Sequence, residues 1–201
     1  MKSTNKFVLP AFFGILVCIV FSLTRCGSNQ PANTPAAKED PVVRGKYLVT
    51  IGGCNDCHSP KIFTAMGPVD DTTRLLSGHP AGAPLPPIDS ALVAPGKWAM
   101  CTQDLTTWVG PWGVSFPINL TPDSVTGTGA WTEETFMRII RSGKHMAVES
   151  GRPILPPMPW YNYAKMTDDD LKAVFAYLHS LPPISNKIPD PIPFGEMAMK
   201  K

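Results

Sequence analysis

Hydrophobic positions divide the chain into an apolar leader, a polar stretch and a longer region with short helical periods. Phe7–Leu23 is an apolar run that follows the basic residues Lys2 and Lys6, which is typical of a secretory signal. Residues 27–40 are polar, rich in Ser, Asn, Pro and Ala, and have no apolar period, which is typical of a flexible tether. We therefore expect a leader over residues 1–25, a tether over 26–40, a folded domain over 41–194 and a charged tail over 195–201.

The first helix of the domain is predicted over residues 42–53. Its apolar side chains fall near one face, which we expect to be buried. They are Val43, Tyr47, Leu48 and Ile51. Gly45 weakens such a helix by about 1 kcal/mol relative to Ala. Close approach of a second helix would explain a glycine at this position.

Two later helices are predicted from capping residues and apolar spacing. Thr132 precedes two glutamates, and the apolar period that follows ends at Gly143. Thr167 precedes three aspartates, and a longer apolar period then runs to Pro182-Pro183. The packing residues are Phe136, Met137, Ile139 and Ile140 in the first and Leu171, Val174, Phe175 and Leu178 in the second. We read the aspartates as cap and dipole stabilisation in preference to a docking patch for a basic partner.

The link between residues 59 and 118 contains nine prolines and no long period. Within it, residues 98–116 are rich in Trp, Val, Thr and Phe around Gly110-Pro111, which predicts a short β-hairpin. Cys101 lies in this hairpin, and we expect a buried, inert thiol.

Composition agrees with short elements joined by rigid loops. The chain has 201 residues and 23 prolines, about twice the usual ~5%. Its formal net charge of +2 comes from the leader, because the rest of the chain holds 15 basic and 16 acidic residues. The sequence has no basic cluster of the kind that binds nucleic acid.

Five residues carry the strongest chemical signal, Cys54-Asn55-Asp56-Cys57-His58. The spacing C-x-x-C-H is the attachment signature of c-type haem. Two thiols on one helical turn can add to the two haem vinyl groups, and the following histidine supplies a proximal iron ligand. A redox C-x-x-C would need a βαβ setting, and a structural zinc site would need two further ligands. The sequence predicts one covalent haem held by Cys54, Cys57 and His58.

Met158 is the best candidate for the second axial ligand. It lies among three prolines that stiffen the loop, followed by Trp160. The alternatives are that Met158 only packs on apolar neighbours, that Met146 ligates instead, or that a second histidine does. His79, His145 and His179 lie in polar surroundings, and we expect them to be solvated.

Membrane attachment is predicted from the end of the leader. Leu23-Thr24-Arg25-Cys26 resembles the lipobox of bacterial lipoproteins, although Arg25 stands where a small residue is usual. Cys26 is the expected lipid-attachment site, and an uncleaved anchor is the alternative. Either arrangement would export the domain and hold it at a membrane on the periplasmic side.

Taken in order, these segments resemble the class I cytochrome c family. The matching pattern covers about residues 43–185 and runs GKYL, GGCNDCH, LSGHP, NLTPD, TGTGAWTEETF, RSGKH, PPMPWYNY and LPP. The resemblance is closest to the cytochrome c domains of dehydrogenase cytochrome subunits. It implies a small, mainly α fold wrapped around one covalent haem, with the first and last helices crossing. It also implies His58 and Met158 as axial ligands, and haem-edge contacts from residues 119–123 and Trp131.

The resemblance implies an electron carrier and no catalytic residues. The expected partners are redox proteins, such as a respiratory dehydrogenase or a terminal oxidase. A haem subunit stably bound to a dehydrogenase or oxidase is one alternative. An enzyme or sensor with an open iron position is the other, if Met158 does not ligate.

Overall fold

A computed structural model describes residues 39–147 and 150–197. The predicted leader, Cys18, Cys26 and nearly all of the predicted tether lie outside the described residues. Within the described part, no helix is both long and apolar enough to cross a membrane. The helices are α1 (Pro41–Ile51), α2 (Cys54–His58), α3 (Glu133–Ser142), α4 (Trp160–Tyr163), α5 (Asp168–Ser180) and α6 (Phe194–Met197), with a 3-10 turn at His145–Ala147.

Helix α1 packs against α5, so the first helix and the last long helix meet as expected. Gly45 permits the contact, because a Cβ atom at this position would lie 1.9 Å from the carbonyl oxygen of Ala173. Arg44 and Asp170 form an ion pair of 2.9 Å across the same pair of helices. The predicted reason for Gly45, close approach of another helix, is confirmed.

The buried face of α1 differs from the predicted one. Val43 and Ile51 are 58% and 62% exposed, and Tyr47 is also exposed. Leu48, which was among the predicted residues, is buried together with Gly45 and Val49. Because the backbone of α5 lies against Gly45, the contact face of α1 centres on that glycine. The side of α1 that carries Val43, Tyr47 and Ile51 is therefore exposed.

Helices α3 and α5 begin and end where the sequence predicts. The hydroxyl of Thr132 accepts a hydrogen bond from the backbone amide of Thr135, and the hydroxyl of Thr167 does the same for Asp170. Gly143 ends α3 in the left-handed conformation. Two of the three aspartates at the start of α5 form ion pairs with other helices. Asp170 pairs with Arg44 on α1, and Asp168 pairs with Arg141 on α3.

One hydrophobic core lies between α1, α3 and α5. Its buried members are Val49, Leu76, Phe136, Ile140, Leu171 and Leu178. Met137 packs against this cluster, as predicted for that face of α3.

The link contains more strand than the single predicted hairpin. β1 (Lys61–Thr64) and β2 (Gly67–Asp70) form one antiparallel hairpin. β3 (Met100–Cys101), β4 (Trp108–Gly110) and β5 (Gly113–Ser115) form a second antiparallel sheet in that order. The pair β4–β5 confirms the hairpin predicted around Gly110-Pro111, whereas β1–β2 was not anticipated. The domain therefore combines helices with five short strands.

A second core joins this sheet to the carboxyl-terminal residues. It contains Val93, Val109, Val114, Phe116 and Met197. Val114 exchanges two backbone hydrogen bonds with Ile192, of 2.8 and 3.0 Å. Met197, assigned to a charged tail from the sequence, is buried at the end of α6, so the packed part of the chain extends beyond residue 194.

Candidate functional site

One cavity brings together the residues that the sequence singled out. Cys54, Cys57, His58 and Met158 all line it, although His58 and Met158 are 100 positions apart in the chain. The cavity encloses about 1140 Å³ of space between protein atoms, part of it open to solvent.

The walls of the cavity come from nearly every part of the domain. Helix α3 contributes Phe136, Ile139 and Ile140, and the link contributes Trp108 and Phe116. The sequence did not identify the link residues as site residues. Trp108 lies on β4, and Phe116 directly follows β5. Only the tertiary fold shows which apolar residues of this region line the cavity. The link therefore forms part of the cavity wall.

Helix α2 holds the two motif cysteines on a single short turn. Gly53 precedes it with φ +65°, the left-handed region that favours glycine. Lys61 fixes the other end, because its Nζ donates to the carbonyl oxygens of Asn55, Asp56 and Ser59 at 2.7–3.0 Å. Burial raises the pKa of Cys54 to about 11 and also raises that of Cys57. Both thiols are free.

His58 is buried and fixed in one tautomer. Its Nδ1 lies 2.8 Å from the carbonyl oxygen of Ile118. Because a carbonyl only accepts, Nδ1 carries the proton and Nε2 is left with a free lone pair. Burial lowers the pKa of the imidazole, which keeps it neutral. A neutral histidine held through its second nitrogen is the usual form of a metal ligand.

Met158 lies on a loop that is tied to the sheet. The hydroxyl of Ser115 on β5 donates to the carbonyl oxygen of Pro156 at 2.6 Å. The carbonyl of Met158 accepts from the amide of Trp160 at 2.9 Å, where α4 begins. Met146 also lines the cavity, but it is 50% exposed. Both candidate thioethers therefore line the cavity. Hydrogen bonds hold the Met158 loop at the carbonyl groups of Pro156 and Met158.

The predicted haem-edge segment contributes to the wall through Leu120 and Trp131. Asn119 and Thr121 are buried and shape this loop. The amide of Asn119 donates to the carbonyl oxygen of Ile184 at 2.7 Å, and its side-chain oxygen accepts from the hydroxyl of Thr121 at 2.7 Å. These two residues therefore hold Leu120 in place and do not line the cavity themselves.

The three other histidines do not share the expected solvated setting. His79 is 3% exposed, and its Nδ1 donates to the carbonyl oxygen of Thr106 at 3.0 Å. His179 is half-buried and stacks on Phe175, with 3.9 Å between ring centroids. His145 lines the cavity. The prediction failed because tertiary contacts cover residues whose sequence neighbours are polar.

Cys101 is exposed, which contradicts the predicted buried thiol. It lies on β3 opposite Trp108, at the outer edge of a three-stranded sheet. Of the two residues in β3, Met100 is half-buried and Cys101 is exposed, and the sequence pattern could not show which side chain the rest of the domain covers.

The residues around the cavity fit a covalently attached haem. Two free thiols on one turn can form thioethers, a neutral imidazole can ligate iron, and a thioether can take the opposite position. The wall is otherwise largely apolar, which suits a porphyrin ring. The cavity and the donor set are thus consistent with the cofactor that the motif predicts.

Comparisons with known proteins give several relatives that are named as cytochrome subunits of dehydrogenases. The gluconate 2-dehydrogenase cytochrome c subunit of Pantoea cypripedii is 29% identical over 150 residues, which cover 74% of this chain and 25% of that protein. The alcohol dehydrogenase (quinone) cytochrome c subunit of Gluconacetobacter polyoxogenes is 33% identical over 158 residues, 75% and 27% of the two chains. The fructose dehydrogenase cytochrome subunit of Gluconobacter japonicus is 26% identical over 161 residues, 78% and 25%. No protein-family model matches the chain.

The relatives are much longer than this chain. It spans between 25% and 27% of the length of the three proteins named above. The matched part covers about three quarters of this chain, which corresponds to most of the described domain.

Proposed function

Since the chain is a relative of the cytochrome c subunits of bacterial dehydrogenases, we propose that it transfers electrons through one covalently attached haem. The observation that carries this proposal is the cavity shared by both motif thiols, His58 and Met158. A bound haem would supply an iron that cycles between its ferrous and ferric states without binding a substrate.

Each site residue has a separate role in this proposal. Cys54 and Cys57 would attach the cofactor as thioethers. His58 would bind the iron through Nε2, and its Nδ1 proton is held by Ile118, which fixes the orientation of the ring. Met158 would bind the iron through its thioether and would exclude water and small ligands from the site. A small molecule would then find no open coordination position, which distinguishes a carrier from a haem enzyme or sensor.

Axial ligation is tested with Met158→Ala and the matched variant Met146→Ala. We expect the Met158 variant to lose the sulfur-to-iron absorption band in the far red and to bind carbon monoxide rapidly when reduced. The Met146 variant should keep the band and bind little carbon monoxide. A band that persists in Met158→Ala and disappears in Met146→Ala would assign the ligand to Met146. Rapid carbon monoxide binding by the unmodified protein would instead favour an open-site enzyme or sensor.

The partner we propose is a dehydrogenase, because the relatives are named as subunits of such enzymes. The chain would accept electrons from the dehydrogenase and pass them to a respiratory acceptor. Co-purification after mild detergent extraction tests whether the association is stable. A dehydrogenase in stoichiometric amount indicates a bound subunit, and the cytochrome alone indicates a mobile carrier.

We further propose that Cys26 is lipidated and holds the domain at the periplasmic side of a membrane, which rests on the lipobox-like sequence alone. Labelling of cells with palmitate should mark the unmodified chain, and Cys26→Ser should remove the label. Cys18→Ser is the matched control and should leave the label unchanged. Absence of label from the unmodified chain, with retention in the membrane fraction, would favour an uncleaved anchor.

A further inference from the structure

The cavity has a charged group at one position in an otherwise largely apolar wall. Among the described residues that line it, Arg152 is the one with a permanent positive charge, and none is an aspartate, glutamate or lysine. The Arg152 side chain also reaches solvent, and its Nη1 donates to the carbonyl oxygen of Pro153 at 3.3 Å. A cation in the wall of a cofactor cavity is stabilised by an anionic group on the cofactor.

The backbone fixes the position of Arg152 in the wall. The amide of His145 donates to the carbonyl oxygen of Arg152 at 2.9 Å, and the amide of Ile154 donates to that of Gly143 at 2.8 Å. Lys144 and Pro153 form an antiparallel bridge between these two bonds. Residues 143–145 and 152–154 are thus paired, which places Arg152 opposite His145 at the cavity.

Arg152 and Met158 belong to the same segment of chain. Both line the cavity, and Ile154 and Leu155 between them line it as well. The segment that carries the candidate iron ligand therefore also carries the cation.

The haem supplies the matching anion, because it is an apolar ring with two propionate carboxylates on one edge. We propose that Arg152, held opposite His145, binds a propionate carboxylate of the haem and raises the reduction potential of the iron. This inference rests on the proposed haem site. Arginine suits the role, since its planar fork can donate two parallel hydrogen bonds to one carboxylate.

The electrostatic consequence has a definite sign. Reduction lowers the charge of the iron by one unit, so a nearby cation favours the reduced state. The largely apolar wall of the cavity makes this attraction larger than it would be in bulk solvent. Arg152 also neutralises a carboxylate that would otherwise favour the oxidised state.

The test is redox potentiometry of the haem-loaded full chain between pH 5 and 9, for the wild type, Arg152→Gln, Arg152→Lys and Arg138→Gln. Arg138 is the matched control, because it is an exposed arginine on α3 that does not line the cavity. We expect Arg152→Gln to have a lower midpoint potential than the wild type, Arg152→Lys to show a smaller decrease, and Arg138→Gln to match the wild type.

The pH dependence of the midpoint potential is a second readout. A purely structural role of Arg152 would not change it. A carboxylate without its arginine has a higher pKa, so the potential of Arg152→Gln should depend on pH nearer to neutrality than that of the wild type. Asp190 and His145 are titratable groups that interact electrostatically with Arg152. His145→Asn and Asp190→Asn, each in the Arg152→Gln background, should leave this new dependence in place.

Two results would overturn the inference. One is an Arg152→Gln protein with the potential and pH profile of the wild type, and the other is an equal decrease in Arg138→Gln. If Arg152→Gln does not fold, Arg152→Lys decides, because an unchanged potential and pH profile in that variant argue against a bidentate contact. Failure of the unmodified chain to attach haem would instead refute the proposed function.

Discussion

Ser115 couples the sheet to the candidate ligand loop. Its hydroxyl donates to the carbonyl oxygen of Pro156, two positions before Met158, and accepts from the indole of Trp112 at 3.2 Å. We expect Ser115→Ala to loosen this loop, so that the sulfur-to-iron band of the haem-loaded protein disappears at lower pH or lower temperature than in the wild type.

The control for Ser115 is Ser180→Ala, because the Ser180 hydroxyl donates to Tyr177 within its own helix and is exposed. Absorption spectra recorded during heating and during alkaline titration give both transitions. If the two variants lose the band under the same conditions as the wild type, the hydrogen bond to Pro156 does not hold the ligand.

His79 is one of the residues through which acid should weaken the fold. Burial lowers its pKa, and the nearby Asp104 opposes this shift. The unfolded chain binds a proton near the ordinary value of 6.5, whereas the folded chain binds it only at lower pH. Between these values the unfolded state holds more protons, so the free energy of unfolding decreases as the pH falls through this window.

We expect His79→Asn to lose part of this pH dependence. An asparagine cannot titrate, and its amide can still donate to the carbonyl of Thr106. Urea unfolding between pH 4.5 and 7.5 measures the effect. Lys97→Asn, at an exposed lysine, should keep the slope of the wild type. A His79 variant with an unchanged slope would assign the acid sensitivity to other groups.

Local features of the sequence were enough to single out four residues that the structure brings to one cavity. Cys54, Cys57 and His58 lie within five positions, and Met158 stands out by its flanking prolines. It failed for Cys101 and His79, because exposure depends on which strands and loops cover a residue. It missed Arg152 because one arginine in a loop has no local pattern that links it to a cavity.

At the level of elements, the crossing of α1 and α5 depends on Gly45. A methyl group there would meet the carbonyl oxygen of Ala173 at 1.9 Å and the Cβ of Tyr177 at 2.7 Å. Since backbone atoms cannot move aside cheaply, we expect Gly45→Ala to lower the free energy of unfolding by about 1–3 kcal/mol, despite its better helix propensity. Urea denaturation of the haem-loaded protein measures this change.

Gly195→Ala is the matched control, because nothing lies within 4 Å of the position of its Cβ. It should be close to neutral. If Gly45→Ala and the wild type had the same free energy of unfolding, α1 and α5 would be able to shift apart without a loss of stability.

Helix ends were easier to predict than helix faces. Thr132, Thr167 and Gly143 act within one turn of their own sequence, so their roles follow from local rules. The buried face of α1 does not, because Gly45 lets the backbone of α5 approach, and three of the four apolar residues on the predicted face are left exposed. The hairpin β1–β2 was missed for a related reason, since its strands have only four residues each and a proline in β2.

For the whole molecule, the two cores are expected to act as one cooperative unit. The second core contains Phe116, which also lines the cavity, and it contacts the carboxyl-terminal residues through Val114 and Ile192. The link and the end of the chain therefore support one wall of the candidate haem site. Damage to the second core should then be detected at the haem.

Val114→Ala tests this coupling. Val114 is fully buried, so removal of two methyl groups should lower the free energy of unfolding by about 2 kcal/mol, whereas Val125→Ala, at a residue that is 88% exposed, should change it by less than about 0.5 kcal/mol. Unfolding is followed both by tryptophan fluorescence, to which Trp98, Trp108 and Trp112 of the link contribute, and by the haem absorption bands. If the cores are one unit, the two probes give the same shifted transition in Val114→Ala. A fluorescence transition that precedes an unshifted haem transition would show instead that the second core unfolds alone and that the cavity wall does not depend on it.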